Sequence, residues 1–271
     1  MAQPKIIVLG NEKGGTGKST VSMHLVVSYL ASGHKVGSID VDARQGTLTR
    51  YLENRSKTIA SSGKALPMPK HRSLHTSKNT DHGQAEKEDY ALVAETLQAL
   101  EDCDVIIADT PGNNTSLSEA LHTRADTLIT PINDSFIDLD MLVRVEGEAH
   151  EILRPSVYAE MVWEQRKKRA LRDRGSIDWI VLRNRLTMIN AHNKGEVGRV
   201  LQALSKRIGF RLGEGFCERV IFKELFLSGL TVLDLEQMGT PLKISHIAAR
   251  QELKTLVTMI HSEEKKPSPS S

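Results

Sequence analysis

Five short apolar runs punctuate an otherwise amphipathic chain: Lys5 to Leu9, Val36 to Val41, Val105 to Ala108, Thr127 to Pro131 and Trp179 to Leu182. Each run is continuous rather than alternating, which predicts a strand covered on both faces, and helical periodicity fills the stretches between them. Strands alternating with helices predict a largely parallel sheet with right-handed crossovers, that is, a doubly wound α/β fold. The first helix is predicted from Ser19 to Ser32, with Gly33 as its C′ residue. The last periodic stretch, Ile247 to Ile260, carries Ile247, Leu253, Leu256, Val257 and Ile260 as an apolar stripe. Its other positions are mixed in sign, so it is predicted to pack on the core rather than lie in a lipid surface.

The pattern lapses in two places. Between Glu53 and Tyr90 the chain turns polar, with Ser61-Ser62-Gly63, Pro67, Pro69, His71, His75 and His82, and reads as a flexible insert without metal-ligand spacing. Lys265-Lys266-Pro267-Ser268-Pro269-Ser270-Ser271 reads as a disordered tail. A chain of 271 residues, 39% of them apolar, suits a single domain over 1–262 with 263–271 as the tail. It has no run of 18 apolar residues, and its first residues lack the apolar core of a signal peptide, so a cytoplasmic protein is expected. Cys103 and Cys217 stand far apart and alone, a spacing that fits buried thiols better than a disulfide framework or a metal cluster.

Chemistry enters directly after the first strand, at Gly10-Asn11-Glu12-Lys13-Gly14-Gly15-Thr16-Gly17-Lys18-Ser19-Thr20. Gly14, Gly15 and Gly17 let the backbone turn successive N–H groups toward one point, and the following helix aims its positive end at the same place. This is a phosphate-binding loop. Lys18 is placed for β- and γ-phosphate oxygens and Ser19 for Mg²⁺, with Thr16 and Thr20 completing the cradle. The usual pattern is G-x-x-x-x-G-K-[ST]; here Glu12 replaces its first glycine and Lys13 is one lysine more than the loop needs.

Two further strand ends carry acids. Asp40 and Asp42 fall on the same side of the second strand by period-2 alternation, at the ligand edge of a parallel sheet. Cys103 to Ala108 delivers Asp109 and then Thr110-Pro111-Gly112, which suits a Mg²⁺-shell aspartate followed by a switch loop that bends at Gly112.

The lysine-bearing loop, Asp40-Val41-Asp42 and Asp109-Thr110-Pro111-Gly112 resemble the deviant Walker ATPases that include the ParA and MinD families, a P-loop NTPase fold. Within them the chain is most similar to the MipZ division-plane positioning ATPases. That closer likeness rests on Gly10-Asn11-Glu12, the segment Asp42 to Arg55, Tyr158 to Glu164, and Asp178 to Leu186. The resemblance implies a slow ATPase using ATP and Mg²⁺. Lys13 would reach the ATP of a second subunit in a sandwich homodimer, and Asp42 would orient the attacking water. It also implies recruitment by ParB, inhibition of FtsZ assembly, non-specific DNA binding, and nucleoid and polar association without stable membrane anchoring. A ParA-type partitioning ATPase and a MinD-like membrane-associated regulator are the alternatives. The iron–sulfur assembly relatives use paired cysteines that this chain lacks.

For the base, Asn193-Lys194-Gly195-Glu196 approaches a guanine-reading motif but stands about ten residues beyond its strand. Asn184, directly after the strand, occupies the place where relatives contact adenine, so ATP is expected. The net charge of +2 conceals an asymmetry: Met161 to Arg219 holds fourteen Lys and Arg against six Asp and Glu, a net +8. Such a surface attracts nucleic-acid phosphates without reading sequence. Arg199, Lys206, Arg207, Arg211 and Arg219 are the candidate contacts.

Overall fold

The computed structural model describes residues 3–41, 46–133, 135–146, 151–186 and 191–262. The first half of the chain forms β1 (Lys5–Leu9), α1 (Lys18–Ala31), β2 (Val36–Asp40), α2 (Thr47–Ser62), β3 (Lys70–Ser73), α3 (His82–Gln98), β4 (Val105–Asp109), α4 (Ser116–Arg124) and β5 (Thr127–Asn133). The second half forms α5 (Phe136–Leu139), β6 (Val143–Glu146), β7 (Glu151–Pro155), α6 (Val157–Asp173), β8 (Asp178–Asn184) and α7 (Ala191–Leu204). A π-helical turn (Ser205–Gly209) then leads to β9 (Arg211–Gly213), α8 (Ile221–Ser228) and α9 (Ile244–Ser262).

Seven strands form one sheet in the order β3-β2-β4-β1-β5-β8-β9. Every neighbouring pair in it is parallel. The five strands predicted from apolar runs are its interior, and alternate residues serve its two faces. Along β1, Ile7 and Leu9 pack with Val21 and Leu25 of α1 and Leu253 and Leu256 of α9. Val8 points the other way, into a cluster with Leu117 of α4, Val162 of α6 and Leu201 of α7. Both faces are therefore dry, which is why these strands read as unbroken apolar runs. β1 lies between β4 and β5, so the crevice at its carboxyl end is where crossovers depart in opposite directions and ligands bind.

Three expectations change. The segment 53–90 is not an insert: it supplies the end of α2, β3 and the first half of α3, with Leu66 and Leu74 buried and β3 in register with β2 from Gly37↔Lys70 to Asp40↔Ser73. Its polarity is that of a short edge strand and of helices with one wet face. The stripe on α9 is also rotated, since Ile247 is exposed while His246, Ala249, Leu253, Leu256 and Ile260 are buried. Finally, a seventh strand, β9, extends the sheet beyond β8. The tail 263–271 lies outside the described residues.

α2 is fastened to the far end of the chain by a buried ion pair. Arg55 is fully buried and donates to both Asp234 carboxylate oxygens at 2.8 and 2.7 Å, and to the carbonyls of Pro67 and Gly229. Burial by itself opposes ionisation of Asp234, but Arg55 and Thr231 hold it below the usual carboxylate range. Arg55→Ala is expected to cost about 3–5 kcal/mol in denaturant titration, because it leaves a carboxylate buried without its cation. A depressed acid stabilises above its unfolded-state pKa, so the wild type should lose this contribution as pH falls into the acid range, and Arg55→Ala should show a flatter acid limb.

Candidate nucleotide-binding site

The loop between β1 and α1 wraps as the glycines require. Gly15 (φ 75°) and Gly17 (φ 91°) take the left-handed conformation, and Gly17 is the N-cap of α1, so the helix's free N–H groups open into the loop. Gly112 of the switch loop also meets a close-approach requirement. Its φ is not positive, but a Cβ there would stand 3.0 Å from Gly14 N, so the switch loop lies directly against the phosphate loop.

Lys18 is buried, with Nζ donating to the carbonyls of Asn11 and Lys13 at 3.0 Å each. The Asn11 side chain donates to Pro131 O at 2.6 Å and accepts from Lys13 N at 2.6 Å, tying the loop to the end of β5. Ser19 hydrogen-bonds Asp109, and Ser22 Oγ donates to the same carboxylate at 3.3 Å. Asp109 stands opposite Asp40 on the adjoining strand, both almost wholly buried. Burial, and next the Asp40 charge, push Asp109 up to about 7, against the lowering effect of Ser19, Lys18 and Ser22. Asp40 accepts from Thr49 N and Oγ1, both at 2.8 Å, and Thr49 Oγ1 lies 3.0 Å from His71 Nε2. The edge strand β3 thus supports the acid pair through the first turn of α2. A half-buried hydroxyl, a buried ammonium and a buried carboxylate converging on a helix N-terminus are a donor set that fits a magnesium-bound polyphosphate. Asp42 lies outside the described residues.

Lys13 keeps its side chain out of the loop, 40% exposed, and pairs with the buried Asp138 of α5. Sequence reasoning gave no role to Asp138, Asn11 or Thr49. The Lys13 partner is 125 positions away and becomes a neighbour only because β5 lies beside β1. Asn184, expected at the base, is buried and donates from Nδ2 to Thr16 O at 2.6 Å, bracing the phosphate loop. It also lines a cavity of about 300 Å³ beside the loop, together with Gly17, Thr20, Arg185, Phe216 and Phe222. Arg185 at its rim has φ 53°, a strained conformation of the kind that collects at binding sites.

A family model described as ATPase MipZ matches residues 5–263. The chain belongs to the MipZ ATPase family. Curated relatives match over part of their length. A 37-residue stretch, 14% of each chain, is 54% identical to a cytosolic Fe-S cluster assembly factor Nubp2 homologue of Drosophila grimshawi. The septum site-determining protein MinD of Helicobacter pylori is 29% identical over 157 residues, 52% of this chain and 58% of that one. The chain thus spans less than two thirds of the length of these relatives. Among solved structures, an ATP complex of a Cyanothece McdA variant superposes with a TM-score of 0.66 at 18% identity, covering 100% of both chains, a likeness of fold. The sequence reading of a ParA/MinD-type chain of the MipZ family, with a doubly wound single-domain fold, is borne out.

The five basic candidates separate in this MipZ-family fold. Arg199, Lys206 and Arg207, on α7 and the π-helical turn, are exposed. Arg211 is paired with Asp178, and Arg219 is held by both oxygens of Glu252 at 2.5 and 2.7 Å. No helix among the described residues is long and apolar enough to cross a membrane.

Proposed function

We propose that this MipZ-family chain is a Mg²⁺- and ATP-dependent dimerisation switch with slow hydrolysis, which binds DNA non-specifically, is recruited by ParB and places the division site by inhibiting FtsZ assembly. The observation that carries the nucleotide half is the convergence of the buried Lys18 and Asp109, with Ser19 hydrogen-bonded to Asp109, on the N-terminus of α1. In this reading the N–H groups of Gly14 to Thr20 hold phosphate oxygens, and Lys18 moves from the loop carbonyls to the β- and γ-phosphates. Ser19 and Asp109 are the residues that would hold Mg²⁺, which would supply charge neutralisation at the transferring phosphoryl group. Asp42 aligns the water, and Lys13 exchanges Asp138 for the partner's nucleotide. Phosphoryl transfer depends on placed charge and alignment more than on covalent participation, so a lysine supplied in trans couples turnover to dimerisation.

Asp42→Ala is expected to retain ATP binding and lose turnover by a factor of roughly 10²–10³, measured as phosphate release against calorimetric affinity. Retained hydrolysis sinks the water-positioning role. DNA contacts are assigned to Arg199, Lys206 and Arg207, the exposed members of the basic set, leaving Arg211 and Arg219 to their internal pairs. FtsZ sedimentation with and without the protein and ATP separates this function from ParA-type partitioning: only the MipZ-type reading expects polymer to be lost from the pellet.

A further inference from the structure

His24, one turn beyond Thr20 on α1, is one of the residues lining the 300 Å³ cavity beside the phosphate loop and is 2% exposed. Its Nδ1 lies 2.8 Å from the Thr20 carbonyl, so Nδ1 carries the proton and the distal nitrogen, Nε2, offers a bare lone pair. Nothing among the described residues donates to that buried Nε2. Desolvation lowers the imidazole to about 4, despite the Thr20 carbonyl and the Asp234 charge, so the ring stays neutral. The Phe222 ring stands edge-to-face with it at 5.1 Å, which keeps the surroundings apolar. A buried acceptor without a donor is a destabilising arrangement, and here it belongs to a residue that lines a cavity large enough for a purine. Its neighbours in that wall are the base-side residues Asn184 and Arg185.

We propose that His24 Nε2 is a specificity-determining acceptor that takes a hydrogen bond from the exocyclic 6-amino group of the bound adenine nucleotide. This rests on the ATP reading above and adds to it the residue that chooses the base. A 6-oxo purine would present a second acceptor to the same lone pair. Across a contact that excludes water, two facing acceptors leave both unsatisfied.

The decisive comparison is between ATP and purine riboside triphosphate, which lacks only the 6-amino group. Wild-type protein should bind ATP about three- to tenfold more tightly by calorimetry, the range of one neutral hydrogen bond. The two should bind equally to His24→Leu. Because that variant can perturb α1, ¹⁵N spectra of the wild-type imidazole serve as the second readout. The Nε2 resonance of His24 should move upfield with ATP and keep its position with the purine analogue. Equal wild-type affinity for both triphosphates, or an Nε2 resonance that ignores the 6-amino group, overturns this inference and leaves ATP binding intact. Failure of wild-type protein to bind either triphosphate overturns the ATP reading and this inference with it.

Discussion

Asp109→Asn should melt at a higher temperature than the wild type in the absence of nucleotide and magnesium, and should lose magnesium-dependent ATP hydrolysis. The two effects have one cause. Asp109 is almost fully buried at the end of β4, next to the buried Asp40 carboxylate, so in the metal-free protein its negative charge is desolvated and repelled. Asparagine keeps the shape and still accepts from Ser19 and Ser22 while removing the charge. Asp109 goes from an ordinary 3.8 to about 7 in the fold, so the native state holds the proton more tightly than the unfolded chain. Stability from this group is therefore complete below the unfolded value and is lost as pH rises through about 7. The expected gain for Asp109→Asn is on the order of 2 kcal/mol above pH 7, roughly 4–8 °C in melting temperature, shrinking toward zero by pH 4. Magnesium and ATP should raise the wild-type melting point most at alkaline pH and the variant's much less. A variant no more stable than wild type at pH 8 would show that Asp40 and Asp109 do not strain the empty site.

The same residues show how far the sequence carries. Strands buried on both faces announce themselves by composition, which is why β1, β2, β4, β5 and β8 and the acids at their ends were legible. Edge position erases that signal. β3 is Lys-His-Arg-Ser and β9 only Arg-Leu-Gly, each paired on one side, so their apolar content is no guide and their existence depends on the neighbour they join. Local motifs likewise identified the phosphate loop, but not what holds it still. Asn11 reaches Pro131, Asn184 reaches Thr16, and His71 of β3 reaches the Thr49 that holds Asp40. Such contacts follow from strand order, which hydrophobic periodicity does not encode. Arg211 and Arg219 make the converse point: charge counting placed them on a binding surface, and only the fold reveals the carboxylates that already hold them.

Lys13→Ala should abolish dimerisation induced by a non-hydrolysable ATP analogue, while Asp138→Asn should bring dimerisation to lower analogue concentration. In the single chain Lys13 Nζ is paired with Asp138, a carboxylate only 2% exposed, at the head of α5. A lysine that serves a second subunit has to leave that partner, and doing so strands a buried carboxylate. The half-exposed ammonium limits the cost to roughly 1–2 kcal/mol, which would place about a tenfold bias between the monomer and the proposed sandwich dimer. Asparagine at 138 removes the electrostatic hold without removing Lys13, so the midpoint of an analogue titration followed by sedimentation velocity should fall by about that factor. On the proposed in-trans role, alanine at 13 removes the cation that would reach the partner's phosphates, and no analogue concentration should replace it. The charge-exchanged double variant, Lys13→Asp with Asp138→Lys, separates the two roles. It can rebuild an ion pair within the subunit and recover stability, yet it presents an acid where a phosphate must be met, so it should stay monomeric. If Lys13→Ala dimerises as the wild type does, the lysine does not act in trans. If Asp138→Asn leaves the midpoint unchanged, the Lys13 to Asp138 pair is no latch on the switch.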